Sequence, residues 1–203
     1  MTKQDVEHIQ EVLSVIVNQP LRDFTRSGSL LIIDFGELIE ADSFKLAENG
    51  RLARDENGKY IRIKEMCGKY GIHAFCSMRF TCENGVIFTS GDIFAPIYKQ
   101  PYDEEFDWDS FDLDSFDWHT IGNTSFDELL AKHFDGKFCD HVVKSVEASP
   151  FGDLTISFKN DCMLELFAEG SRRCPNWSFG EANSYDSLAV SGNKIESYWN
   201  LGK

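Results

Sequence analysis

Apolar residues in the first twenty positions recur at helical spacing. Val6, Ile9, Leu13 and Ile16 fall on one face, Thr2 can cap with Asp5 three residues on, and Pro20 marks a stop. The spacing predicts a helix from Thr2 toward Pro20. After Pro20 the period drops to two. SGSLLIIDFGEL (27–38), KYIRIKEM (59–66), YGIHAFCSMRFTC (70–82) and VIFTSGDIFAP (86–96) are rich in β-branched and aromatic residues and largely alternate, as half-buried strands do. Shorter strands are expected around 43–54. Glu-Asn-Gly occurs at 48–50, 56–58 and 83–85, and Asn-Gly between apolar runs favours the positive φ of hairpin turns.

The second half returns to helical spacing once. Ser125 and Glu128 resemble a capping box, Phe126, Leu129, Leu130 and His133 share a face, and Gly136 can end the turn, so a short helix is expected at 125–134. Strands follow at 137–148, 153–158 and 162–169, then at 177–179, 187–191 and 194–199, with Asn160-Asp161 as a turn. The expected fold is α+β and mainly antiparallel β: two packed sheets with an N-terminal helix and a central short helix. GSLLIIDF (28–35) echoes GDLTISFK (152–159), and RF…SGDI (79–93) has a looser echo in SF…SGNKI (178–195). One domain spanning 1–203 is expected, with pseudo-repeats 20–136 and 137–203 as a further expectation.

Composition sharpens this picture in one place. At 203 residues and 42% hydrophobic, the chain can bury a core, and its net charge of −14 repels phosphate backbones while favouring encounter with basic partners. More than half of that excess lies in one stretch, YDEEFDWDSFDLDSFDW (102–118), which contains no basic residue. Phe106 stands among its carboxylates, and the candidate contact residues are Asp103, Glu104, Glu105, Asp107, Trp108, Asp109, Phe111, Asp112, Asp114, Phe116, Asp117 and Trp118. Rings framed by carboxylates suit docking on a cationic protein surface, because the rings supply buried area while the acids pair with Lys or Arg and speed encounter. The alternative is that the rings pack on this protein's own sheet beneath a solvated acidic face.

Other chemistries find little support. An EF-hand register begun at Asp107 puts Phe111 and Asp112 where an acid and glycine are required. Cys67, His73, Cys76 and Cys82 invite zinc, but residues three apart on a strand face opposite ways and no C-x-x-C occurs. His8, His73, His119, His133 and His141 sit in unrelated contexts, apart from Asp117-x-His119. No nucleophile elbow or phosphate-binding glycine loop is present. Phe75, Met78, Phe80, Phe88 and Phe94 resemble a base-stacking platform without its basic groove, and are expected in the core. No catalytic residue, cofactor or metal is therefore expected. Without a signal peptide or membrane span, the six cysteines are expected as reduced thiols of a cytoplasmic protein.

The acidity, with the tract 102–118, resembles the class of immunity proteins that neutralise bacterial toxins, including those of contact-dependent growth inhibition. The resemblance implies an inhibitor covering the basic groove of a toxin nuclease domain, with no direct nucleic-acid or membrane contact. GIHAFCSMRFTCENGVIFTSGDIFAP (71–96) and GDLTISFKNDCMLELF (152–167) also look like segments of small bacterial proteins. The repeated meander-plus-helix order is similar to Whirly-type single-stranded DNA-binding proteins, whose binding role the charge argues against. An enzyme with a dispersed site, or an acidic adaptor mimicking nucleic acid, are the alternatives.

Overall fold

The computed structural model describes residues 1–45, 47, 51–97, 112, 114–169, 175–192 and 194–199. Helix α1 (Lys3–Leu13) opens on the expected box: the Asp5 N–H donates to the Thr2 hydroxyl and the Thr2 N–H to the Asp5 carboxylate. It ends well before Pro20, in a tight turn at Ser14–Ile16 followed by left-handed Asn18. Ile9, Val12, Leu13 and Ile16 are buried.

The strands are β1 (Leu21–Ser27), β2 (Leu30–Phe44), β3 (Arg62–Ala74), β4 (Ser77–Cys82), β5 (Gly85–Thr89), β6 (Val143–Ala148), β7 (Leu154–Phe158), β8 (Met163–Phe167), β9 (Trp177–Glu181), β10 (Ser187–Ser191) and β11 (Lys194–Ser197). Helix α2 (Ser125–Phe134) lies between β5 and β6 in the chain. A six-stranded sheet runs β1-β2-β3-β9-β10-β11 and a five-stranded sheet β5-β4-β8-β7-β6, every pairing antiparallel. Each sheet thus takes strands from both sides of α2. The architecture is the expected α+β, mainly antiparallel arrangement.

Several expectations need correction. The strand expected at 86–96 ends at Thr89 and gives way to a 3-10 turn at Ser90–Phe94 capped by Thr89 and Asp92, and the strand expected at 137–148 begins only at Val143, after a 3-10 turn at Phe138–Asp140. The strand expected at 27–38 begins on a turn: β1 ends at Ser27, the chain turns at Gly28 with φ of 60°, and β2 runs from Leu30 on to Phe44. Period-two reading misses β1 because a bulge between Leu21 and Asp23 breaks its alternation and because its inward position 26 carries an arginine. The run 70–82 is two strands, since the chain crosses between sheets at Phe75-Cys76 and the Phe75 N–H donates to the Asn176 carbonyl at 2.8 Å. Alternation continues through that corner, so sequence period does not mark it. Helix α2 is capped by Thr124 with Asp127, one residue ahead of the expected Ser125 and Glu128. Asp135 and Gly136, both at positive φ, end it.

Glu83-Asn84-Gly85 makes the β4–β5 turn and Gly58 sits at positive φ in its own turn, while 48–50 falls outside the described residues. One apolar cluster lies between the sheets and takes residues from both, with Phe80 and Phe88 stacked at 5.0 Å and Phe24, Phe126 and Phe134 around them. Of the supposed stacking platform, Met78, Phe80 and Phe88 are core, whereas Phe75 and Phe94 are exposed. The two sheets are also tied at one edge. The Leu21 N–H donates to the His141 carbonyl and the Val143 N–H to the Gln19 carbonyl, which fixes where residue 141 stands.

Among the described residues, no helix is long and apolar enough to cross a membrane.

Candidate functional site

The described part of the acidic tract is its C-terminal end, residues 112 and 114–118. Asp103, Glu104, Glu105, Asp107, Trp108, Asp109 and Phe111 lie outside the described residues, as does Phe106. Asp112, Asp114 and Asp117 are exposed, whereas Phe116 and Trp118 are half-buried. Trp118 packs against the core margin, edge-on to Phe94 at 4.9 Å and stacked on the His119 ring at 3.7 Å. Asp117 accepts from the Thr120 hydroxyl at 2.6 Å and from the His119 backbone N–H, and the Thr120 bond holds its carboxyl below the usual range. The His119 charge adds only the smallest of the lowering effects on this carboxyl, and its ring is stacked on Trp118. Phe94, Ile97 and Ile121 are each exposed, so this part of the surface mixes apolar and acidic groups.

What fastens the segment is a buried ion pair that periodicity does not reveal. Arg26 is 1% exposed, and its guanidinium grips both Asp127 oxygens at 2.7 and 2.6 Å. Its other N–H groups donate to the carbonyls of Trp118 at 2.8 Å, Thr120 at 3.0 Å and Gly28 at 3.3 Å. Asp127 also caps α2 and accepts from the Gly122 N–H. Burial pushes the Asp127 carboxyl up, but the bonds from Arg26, Thr124 and Gly122, with the guanidinium charge, hold it below the ordinary range. One carboxylate thus joins β1, the start of α2 and the end of the acidic tract. The sequence signal was the arginine at an inward position of β1, legible only once its bulge is known.

A second site lies where the β4–β5 turn, the end of α2 and the approaches to β6 and β8 converge. An open depression of about 370 Å³ is lined there by Glu83, His133, Asp135, Asp140, His141 and the two cysteines Cys82 and Cys162, among others. The expectation of reduced thiols fails at this point, because Cys82 and Cys162 form a disulfide. The cause is register: β4 and β8 pair Thr81 with Met163, which sets the next two residues opposite each other. Cys67, Cys76 and Cys139 are free. His133 Nε2 lies 3.8 Å from Cys82 Sγ and 3.3 Å from His141 Nε2. The ligand atoms of Cys82, His133 and Cys162 all fall within 4.8 Å of one another.

His141 is 6% exposed, and its Nδ1 makes no hydrogen bond. Burial, then the neighbouring His133, holds its pKa below the ordinary value, opposed by the Lys137 and Phe138 carbonyls; burial likewise lowers His133. Both imidazoles are kept neutral at physiological pH, the form that ligates metals. Of the cysteines and histidine whose spacing invites zinc, Cys67 and His73 lie on β3 in the other sheet, with His73 exposed, and the neighbours of Cys82 come from far along the chain.

A third perturbed group is Asp34 on β2, whose carboxyl burial raises to about 6, with Asp23 and Glu65 adding to the rise and a bond from the Gly68 N–H opposing it. Gly68 permits the close strand approach here, since a Cβ would stand 2.7 Å from the Phe35 nitrogen.

The chain matches no family model, and no curated protein or solved structure matches it either.

Proposed function

We propose that this protein is an inhibitor of the immunity type, which binds a basic toxin domain, of nuclease class, through the surface around residues 103–118. The observation that supports this reading is the Arg26–Asp127 clamp: it ties down the Trp118 and Thr120 carbonyls and leaves the Asp112, Asp114 and Asp117 carboxylates in solvent. A surface held in place before contact loses less entropy on binding than a free acidic tail. Exposed Phe94, Ile97 and Ile121 supply apolar area near the carboxylates, and the −14 net charge accelerates encounter with a cation-rich partner. In this reading the protein acts in the cytoplasm, without catalysis and without touching nucleic acid.

The test is affinity capture of the partner from the native host, followed by titration of the purified partner at low and high salt. Affinity should fall steeply with salt, and neutralising Asp107, Asp109, Asp112 and Asp114 to Asn should weaken binding and abolish inhibition of the partner. Unchanged affinity in that variant rejects the surface, and a partner without a basic face rejects the class.

A further inference from the structure

We propose that Cys82, Cys162, His133 and His141 form a redox-gated site for a thiophilic divalent cation of the zinc class, closed while the disulfide stands and opened by its reduction. The inference is independent of the docking surface, which lies on other residues.

The ligand set is the first ground. Two sulfurs and two imidazoles are a donor combination that zinc takes in tetrahedral sites. They come from four separate parts of the fold: the end of β4, the last turn of α2, the segment before β6 and the residue preceding β8. Spacing is the second. Zinc–nitrogen bonds of about 2.0–2.1 Å place two tetrahedral nitrogens about 3.3 Å apart. His133 and His141 already present their Nε2 atoms at 3.3 Å. Cys82 Sγ stands 3.8 Å from the same His133 nitrogen, and a tetrahedral sulfur–nitrogen edge is about 3.6 Å.

The third ground is His141 itself. It is almost fully buried, and its Nε2 is turned toward the Nε2 of His133. A neutral imidazole pair shares one hydrogen, whereas a cation between the two rings satisfies both Nε2 lone pairs. Glu83, Asp135 and Asp140 line the depression, and although Lys137 pairs with Asp135 the lining keeps an excess of acid that attracts a cation.

The disulfide sets the gate. Sulfurs bonded to each other carry no thiolate charge, so the oxidised pair offers the cation only its imidazoles. A dithiol reductant opens the site by exchange: its two S–H groups become a new disulfide, two electrons pass to the Cys82–Cys162 bond, and both cysteines leave as thiols. On metal binding each thiol releases its proton, so one disulfide, one dithiol and one divalent cation yield the dithiolate–metal site, the reductant's disulfide and two protons. Oxidation reverses the sequence and ejects the cation.

The experiment uses the full-length protein, reduced by a phosphine and desalted without oxygen, beside the oxidised protein. Both are titrated with zinc and with cobalt(II), and free thiols are mapped by alkylation and mass spectrometry. The reduced protein should bind one equivalent, show thiolate-to-cobalt charge-transfer bands with tetrahedral d–d absorption, and have Cys82 and Cys162 protected from alkylation. The oxidised protein should bind at least about 100-fold more weakly. His141→Gln should weaken zinc by no less than the roughly 10–100-fold that loss of an outer-shell partner costs. Cys139→Ser should change nothing. Failure of reduced wild type to bind, equal affinity in both redox states, or cobalt spectra without sulfur charge transfer each overturn the proposal. These wild-type readouts decide it even if a variant does not fold.

Discussion

Two regions of this protein hold its chemistry in opposite ways. The acidic segment ending at Trp118 is contiguous in sequence and conspicuous in composition, and its described carboxylates, Asp112, Asp114 and Asp117, stand in solvent. The Cys82–His133–His141–Cys162 group is gathered from positions up to 80 residues apart, part-buried, and invisible to any motif. Contiguous charge marks a surface, whereas convergent donors mark a site that only strand register and a helix end can assemble.

The change with the largest expected effect bears on the first region. Arg26→Met removes the cation from a buried pair and leaves Asp127 with the Trp118 and Thr120 carbonyls short of donors, at an expected cost of about 3–5 kcal/mol. Denaturant unfolding measures it; a loss below about 1 kcal/mol would mean that solvent reaches the clamp and that the segment is not held by it. Next comes the second region's crosslink. Reducing the disulfide, which closes a separation of 80 residues, should cost about 2–4 kcal/mol. A shift of the urea midpoint under reductant reads this out, and adding zinc to the reduced protein should recover part of it.

Titration separates the regions further. Asp34, raised to about 6 by burial, binds its proton more tightly in the folded chain than the ordinary value of 3.8 allows in the unfolded one. Its contribution to stability therefore grows as pH falls from about 6 to 4, and is unfavourable at neutral pH. Asp34→Asn should stabilise the protein on the order of 1–2 kcal/mol at pH 7.5 and lose that advantage near pH 4. His133 and His141 act in the other direction. Their folded pKa values lie below 6.5, so the unfolded chain takes protons first and stability drains away as pH falls through that value. His141→Gln should flatten this limb of a pH–stability profile; an unchanged limb would place the titration elsewhere.

The smallest effect on the fold belongs to the exposed acids. Asp112→Asn with Asp114→Asn should shift stability by no more than about 0.5 kcal/mol, while altering the salt dependence of partner binding. A larger loss of stability would show that these carboxylates support the fold rather than face a partner.

The fold was largely legible because period and turn chemistry are local. The Thr2–Asp5 box, helix α2, Gly85 and the strands from β7 onward follow from neighbouring residues alone. Strand β1 escaped because its bulge disrupts alternation and Arg26 fills an apolar position, and the corner at Phe75-Cys76 escaped because alternation runs through it. Of the site, the exposed acids could be read directly. The disulfide could not: it depends on β4 meeting β8, a pairing that two alternating strands do not announce. His133 was legible as part of a helix face, but its partner His141 is placed by the Pro20–Val142 bridge between the sheets.

The division of both sheets across α2 also bears on how the chain is made. β3 must wait for β9 and β4 for β8, so a nascent chain that has emerged through α2 carries a three-stranded meander and one hairpin, each with an open edge and no lasting partner. Such wide pairing slows folding by raising contact order, and the unpaired edges are where synthesis arrested midway would begin to aggregate.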